Sequence, residues 1–465
     1  MRARYAIVGL CVLFVVVTAS SGPAGAAPLG NPIGGVSPTG SGSWDAPYVY
    51  DYGGGVCAMG ADTATGAGQH VQFVNMSGFT SAAPGGVIDT KGSHGGVGAA
   101  SGINLVSTGA IVCAGYLDGS ATSYNTYASP ISITAGTTID VQGSLSGYSV
   151  MSDHHNHYGA ENTSLYAPGA VTLAGGIDAG QHTNTRPRDG GTVTIQGSSG
   201  GGKAGTVSIG GSILTHGIDV DGSGSGNGGG VTINSSGDVT VSGDILNWGS
   251  RSGTNALVSI TADGAAAVTG YIDSHAQSYQ GNAGAVTISG SSASIDGTDV
   301  SGYSVWASVN RTSTETGGTV MLTATAGDVD VAGGFNLGTG VGGAKTNRGD
   351  LSISASGSSI LGALDLNLID QVTFDVGSVV TIDGELKGLT VDDLNKEVSG
   401  FFSINSDIYY DDDASAELSG AYDILIGGSD SGYDLNPLGA GGLIAEPAAL
   451  GLIGLASLLV RRRRT

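Results

Sequence analysis

Charge is the first thing this 465-residue chain is short of: only 12% of its residues are Asp, Glu, Lys or Arg, about half the ~25% usual in soluble domains. There are only 5 methionines, and Glu, Lys and Gln are also few, so the side chains that most favour helix are thin on the ground. No window carries an apolar stripe of helical period, which excludes a helix bundle. Basic residues are scarcest of all, 16 Lys and Arg against 39 Asp and Glu, for a formal charge of −23. Six of those 16 are the arginines at positions 2, 4 and 461–464, so the body between them is more acidic still. Such a surface repels phosphate backbones, and nucleic acid is not an expected partner.

What the chain has instead is glycine, 85 residues of it, combined with 40% apolar content. The valines and isoleucines are periodic, so this is no linker. In the stretch from Gly229 to Leu246, Val231-Thr232-Ile233 and Val239-Thr240-Val241 alternate apolar and hydroxyl residues between Gly, Ser, Asn and Asp punctuation, and Ile245-Leu246 makes a third short run. On a strand, successive side chains point to opposite faces, which sends Val231, Ile233, Val239 and Val241 inward and the threonines to water. Three residues per strand bury little alone, so the unit must stack on copies of itself. Copies stand at Val171, Val193, Val207, Val258, Val286 and Val320, with looser ones at Ile131 and Leu351. Gly147-Tyr148-Ser149-Val150 returns verbatim as Gly302-Tyr303-Ser304-Val305. The starts are mostly about 20–35 residues apart, a spacing that suits solenoid coils with loops of varying length. The expected fold is all-β: a right-handed parallel β-helix of eight to twelve coils, with terminal caps.

Residues 1–26 read as a secretory signal peptide. Arg2 and Arg4 precede an apolar run from Ala6 to Val17, and Ala24-Gly25-Ala26 fits a cleavage site. Cys11 would leave with it. Outside the cytoplasm the remaining pair, Cys57 and Cys113, is expected as a disulfide, two buried free thiols being the alternative. Residues 27–125 have another texture and are expected to form an N-terminal capping region. There Trp44, Tyr48, Tyr50 and Tyr52 would plug the open end of the solenoid; the alternative is a carbohydrate-stacking platform.

Solenoid repeats are expected over 126–360, with any site on their loops. His155 and His157 share a side of an extended strand and could supply half of a zinc site. No third ligand is fixed by the sequence, since His182, His216 and His275 lie in other coils, and we read Asp153 to Tyr158 as a solvated polar loop. Asp178, Asp219, Asp244, Asp273 and Asp296 recur near the late apolar position of a coil. They would be catalytic only if paired on adjacent coils; as turn residues they are ordinary. No compact catalytic set stands out, and neither a metal nor a cofactor is assigned. Over 361–436 we expect C-terminal coils and a cap, with a short helix from Leu389 to Val398. The cluster of Asp407, Asp411, Asp412, Asp413 and Glu417 reads as a solvated acidic loop rather than a Ca²⁺ site.

The last segment, 437–465, is of a different kind. Glu446-Pro447 precedes an apolar run from Ala448 to Val460, followed by Arg461, Arg462, Arg463 and Arg464. This resembles the PEP-CTERM sorting signal of Gram-negative bacteria, with Ala445 standing where the first proline of the box belongs. The resemblance implies recognition and cleavage by an exosortase, after a transient stay in the inner membrane with the arginines held in the cytoplasm. The Gly-Gly-x-Val-x-Ile rungs resemble the repeats of haemagglutinin-type adhesins. Together these lead us to expect a non-catalytic, Sec-exported cell-surface protein of the extracellular matrix, adhesion or biofilm type, with exopolysaccharide as a partner. The alternative is a β-helical polysaccharide lyase or glycoside hydrolase.

Overall fold

A computed structural model describes the chain from residue 27 to residue 426 with interruptions, the longest being 91–101, 218–225, 339–346, 390–397 and 411–423. Side chains are described as far as Ile382. The expected fold is the one found: short strands, paired exclusively in parallel between named elements, wind into a β-solenoid. Each coil contributes one strand to each of three ladders. Around the repeat unit, Val231–Ser235 lies in the first ladder, Val239–Val241 in the second and Ile245–Leu246 in the third. The third ladder has 11 strands, and at ~4.8 Å per rung it runs about 50 Å. Among the described residues no helix is long and apolar enough to cross a membrane.

Register explains why three-residue strands suffice. Val193, Val231, Val258 and Val286 stand opposite one another from coil to coil, as do Ile195, Ile233, Ile260 and Ile288. Each inward residue thus meets its own kind above and below, and all eight are buried in one continuous core. The tripeptide copies do not all occupy one ladder. Val171 and Val207 start second-ladder strands, opposite Ile139 and Val239 respectively. Thr163 is the exception in the first ladder's valine column. Its hydroxyl lies 3.0 Å from Ser152 Oγ, which in turn donates to the Glu161 carbonyl at 2.8 Å, so the buried polar group is satisfied.

The repeated Gly-Tyr-Ser-Val tetrapeptide is a corner device used twice. Gly147 and Gly302 hold φ of 94° and 86°, in the left-handed region that glycine enters without a side-chain penalty. The next serine then points back into the corner. Ser149 Oγ donates to the Gly143 carbonyl and accepts from Gly175 N; Ser304 Oγ does the same with Gly297 and Gly333.

At the N-terminal side the ladder continues straight through the segment expected to be a separate cap. Tyr48–Asp51 pairs with His70–Met76, that strand with Gly102–Ser107, and that one with Ile131–Ala135. The filling changes instead. Tyr50 stacks on Phe73 with ring centroids 5.0 Å apart, and Phe73 meets Phe79 edge-on at 6.0 Å. The Tyr50 hydroxyl accepts from Gly30 N and donates to the Asn31 carbonyl, and Tyr52 donates to the Ile33 carbonyl. Tyr50 and Tyr52 therefore fill and tie down the end of the rod, as the plug reading required of them, while Tyr48 is half-buried beside the core and Trp44 lies outside the described residues.

One expectation is corrected. Cys57 and Cys113 are buried free thiols, not a disulfide. Cys57 stands opposite Phe79, and Phe79 opposite Ile111 in the following coil, two residues short of Cys113. Two rungs of ~4.8 Å already exceed the ~7 Å limit on Cα separation for a bridge. Burial pushes both thiols up to about 11, which leaves them unreactive. The expected helix from Leu389 to Val398 lies outside the described residues except for its two end positions, which belong to the strands Leu386–Leu389, on the third-ladder side, and Val398–Ile404, paired with Val372–Ile382.

Candidate functional site

The outer surfaces of the first and third ladders differ in kind. On the first, the residue after each inward valine faces out. Register aligns Ser132, Ser164, Thr194, Thr232, Ser259 and Thr287 into one column, interrupted by Met321 and resumed by Ser352 and Thr373. Two residues further along each strand runs a parallel column: Asn234, Thr261, Ser289, Thr323, Ser354 and Asp375. Hydroxyls and amides are thus set about 4.8 Å apart across the coils and about 6.6 Å along each strand. They are half-buried, as side chains on a flat sheet are, and no cation interrupts either column.

The third ladder's outer positions are chemically richer and mostly buried. Asp118, Met151, Asp178, Leu214, Leu246, Asp273 and Trp306 form one column by register. Just beyond them along the coils stand Asp153, His182, His216, Trp248 and His275. Their rings make a continuous file. His182 meets His216 edge-on at 5.1 Å, His216 stacks on Trp248 at 4.9 Å, Trp248 on His275 at 6.0 Å, and His275 on Trp306 at 4.5 Å. Stacked rings spend their faces on one another, so this file is a spine that locks coil to coil and not a sugar-stacking surface.

The aspartates of the column hold their own turns. Asp118 accepts from Ser120 N, Asp178 from Gly180 N at 3.0 Å, and Asp273 from His275 N and His275 Nδ1. Asp178 and Asp273 share a column but stand three rungs apart, about 14 Å, too far to work as a pair. Asp244 sits on a turn and accepts from Tyr271 N, and Asp296 ends a second-ladder coil. Asp219 lies outside the described residues. The four described ones do not assemble into an aspartate ladder.

A different set does converge. One donor atom each of Asp153, Asp178 and His182 lies within 4.8 Å of the other two. His182 Nε2 approaches both Asp178 oxygens, at 2.9 and 2.8 Å. Burial draws its pKa down, but the Asp178 hydrogen bond and charge, with Asp153 behind them, leave it raised overall. His216 is the opposite case: burial, then the charge of His182, pushes it down to about 3. Asp153 and His154 are buried, 3% and 0% exposed, so the loop expected to be solvated is at its start an interior segment. His155 and His157, the pair singled out for zinc, lie outside the described residues. The convergence of Asp153 with Asp178 escaped the sequence because loops of unequal length separate them. The one legible signal was that Asp, Gly, Ser and His recur two or three residues after a third-ladder strand.

The sorting residues Glu446, Pro447 and Arg461–Arg464, and the acidic cluster Asp407, Asp411–Asp413 and Glu417, also lie outside the described residues. No family model, curated protein or solved structure matches this chain.

Proposed function

We propose that the chain is a non-catalytic, exported protein of the cell surface or extracellular matrix that binds polysaccharide along the outer face of its first ladder. The observation that carries this is the pair of aligned hydroxyl and amide columns. Each group makes one weak hydrogen bond to a sugar hydroxyl, and regular spacing lets many act at once, so that avidity comes from number and not from one deep pocket. The acidic balance of the chain, −23 overall, favours neutral glycans over anionic ones. Export rests on the residue pattern of the N-terminal segment, and transient anchoring in the inner membrane and release by an exosortase-type enzyme rest on the resemblance of the C-terminal segment. Intact mass of the surface form tests them: it should begin near Ala27 and end near Glu446, and retention of Arg461–Arg464 would refute cleavage.

The lyase or hydrolase alternative is favoured by one feature, the matched carboxylates Asp153 and Asp178 on neighbouring coils. Their nearest donor atoms lie within 4.8 Å of each other, no farther apart than the ~5 Å of retaining glycosidases. Against it, both are buried, 3% and 5% exposed, and Asp178 is already engaged by Gly180 and His182. The full chain incubated with a panel of polysaccharides separates the readings. Retention without shortening of the glycan supports binding; depolymerisation that disappears in Asp178→Asn establishes an enzyme.

A further inference from the structure

We propose that Asp153, Asp178, His182 and His216 form a zinc site that ties three successive coils together. Asp153 follows the strand Tyr148–Met151, Asp178 and His182 belong to the next coil, and His216 follows Ile213–Leu214 in the one after. The first three donors already lie within 4.8 Å of one another. His216 is the independent observation. It is 6% exposed, it is engaged by the Gln181 backbone, and its Nδ1 is buried with no hydrogen-bond partner. That nitrogen and Asp178 both close on the spot where residue 180 has no side chain, so only glycine lets them approach. The point where a Cβ on residue 180 would sit is 2.8 Å from His216 Nδ1 and 3.3 Å from Asp178 Oδ1.

The donor chemistry selects the ion. Two imidazoles with two carboxylates suit a first-row divalent metal, and four such donors match the tetrahedral preference of Zn²⁺. Ca²⁺ and Mg²⁺ demand all-oxygen sets and more ligands. Two carboxylates and two neutral imidazoles around a divalent ion also make a centre of no net charge, which suits burial. The ion takes the place of the proton that links His182 Nε2 to Asp178.

The test uses the full chain, stripped with a chelator and titrated calorimetrically with ZnCl₂. One equivalent should bind, with a rise in melting temperature. Asp153→Asn, His182→Ala and His216→Phe should each weaken binding by no less than the ~10–100-fold that loss of a mere supporting partner costs. Zinc X-ray absorption on the unsubstituted chain needs no variant, and should report only nitrogen and oxygen neighbours near ~2.0 Å. Absence of stoichiometric binding, sulfur in the coordination shell, or affinity unchanged in folded His182→Ala or His216→Phe would overturn the site.

Discussion

The first and third ladders share one backbone geometry, yet their outer faces differ. The first repeats a small hydroxyl, Ser or Thr, with Met321 the one break from Ser132 to Thr373; the third changes residue at nearly every rung, from Asp to Met, Leu and Trp. Uniformity makes a surface, because aligned identical groups act in parallel. Variety makes a place, because unlike groups meet only once, as Asp153, Asp178 and His182 do. The solenoid thus sets a repetitive polar surface and a localised side-chain cluster on different sides of the same coil.

The sharpest contrast lies between adjacent residues of one strand. Val231→Asp puts an unpartnered carboxylate into the core and should cost ~3–5 kcal/mol or prevent folding, whereas Thr232→Asp next to it should shift stability by no more than about 1 kcal/mol. Urea denaturation of the two variants measures the difference; equal stability would mean that this strand does not face as described. Trp248→Ala removes the ring between His216 and His275. A loss of about 2–3 kcal/mol is expected, less than a fully buried tryptophan because Trp248 is half-buried. A thermal melt unchanged by it would show that the aromatic file adds nothing to coil stacking.

Gly180→Ala acts on the third ladder by crowding. The added methyl would lie 2.6 Å from His216 Cε1, and about 1–2 kcal/mol of overpacking follows. Zinc affinity, followed by calorimetry, should fall with it. The smallest stability effect belongs to the first ladder's face. Ser259→Ala with Thr287→Ala should change stability by under ~0.5 kcal/mol per site, yet reduce retention on a neutral glycan column. If retention survives a whole column of such changes, the polysaccharide face lies elsewhere.

Much of the fold was legible residue by residue. Val231, Ile233, Val239 and Val241 point inward as their alternation demands, because a strand's period of two leaves no other choice once one face is buried. Coil stacking followed too, since three-residue strands have no other way to pair. The assignment of Val171 and Val207 to the second ladder was not legible. Their tripeptides match first-ladder ones, and only loop lengths, which carry no local signal, decide which ladder a strand joins. The plug of Tyr50 and Tyr52 was visible as composition, while its hydrogen bonds to the segment at residues 30–33 were not.

The chain's local chemistry by itself determined a parallel solenoid with a hydroxyl face, because strand alternation and β-branched side chains act over two or three residues. Whether distant residues meet was decided by tertiary structure alone. Cys57 and Cys113 looked like partners and are held two rungs apart by register. Asp153, Asp178 and His182 looked unrelated, and neighbouring stacked coils bring their donor atoms within 4.8 Å of one another. Spacing along the sequence runs around each coil through loops of unequal length, whereas proximity runs across coils at a constant rung, and only the folded ladder converts one into the other.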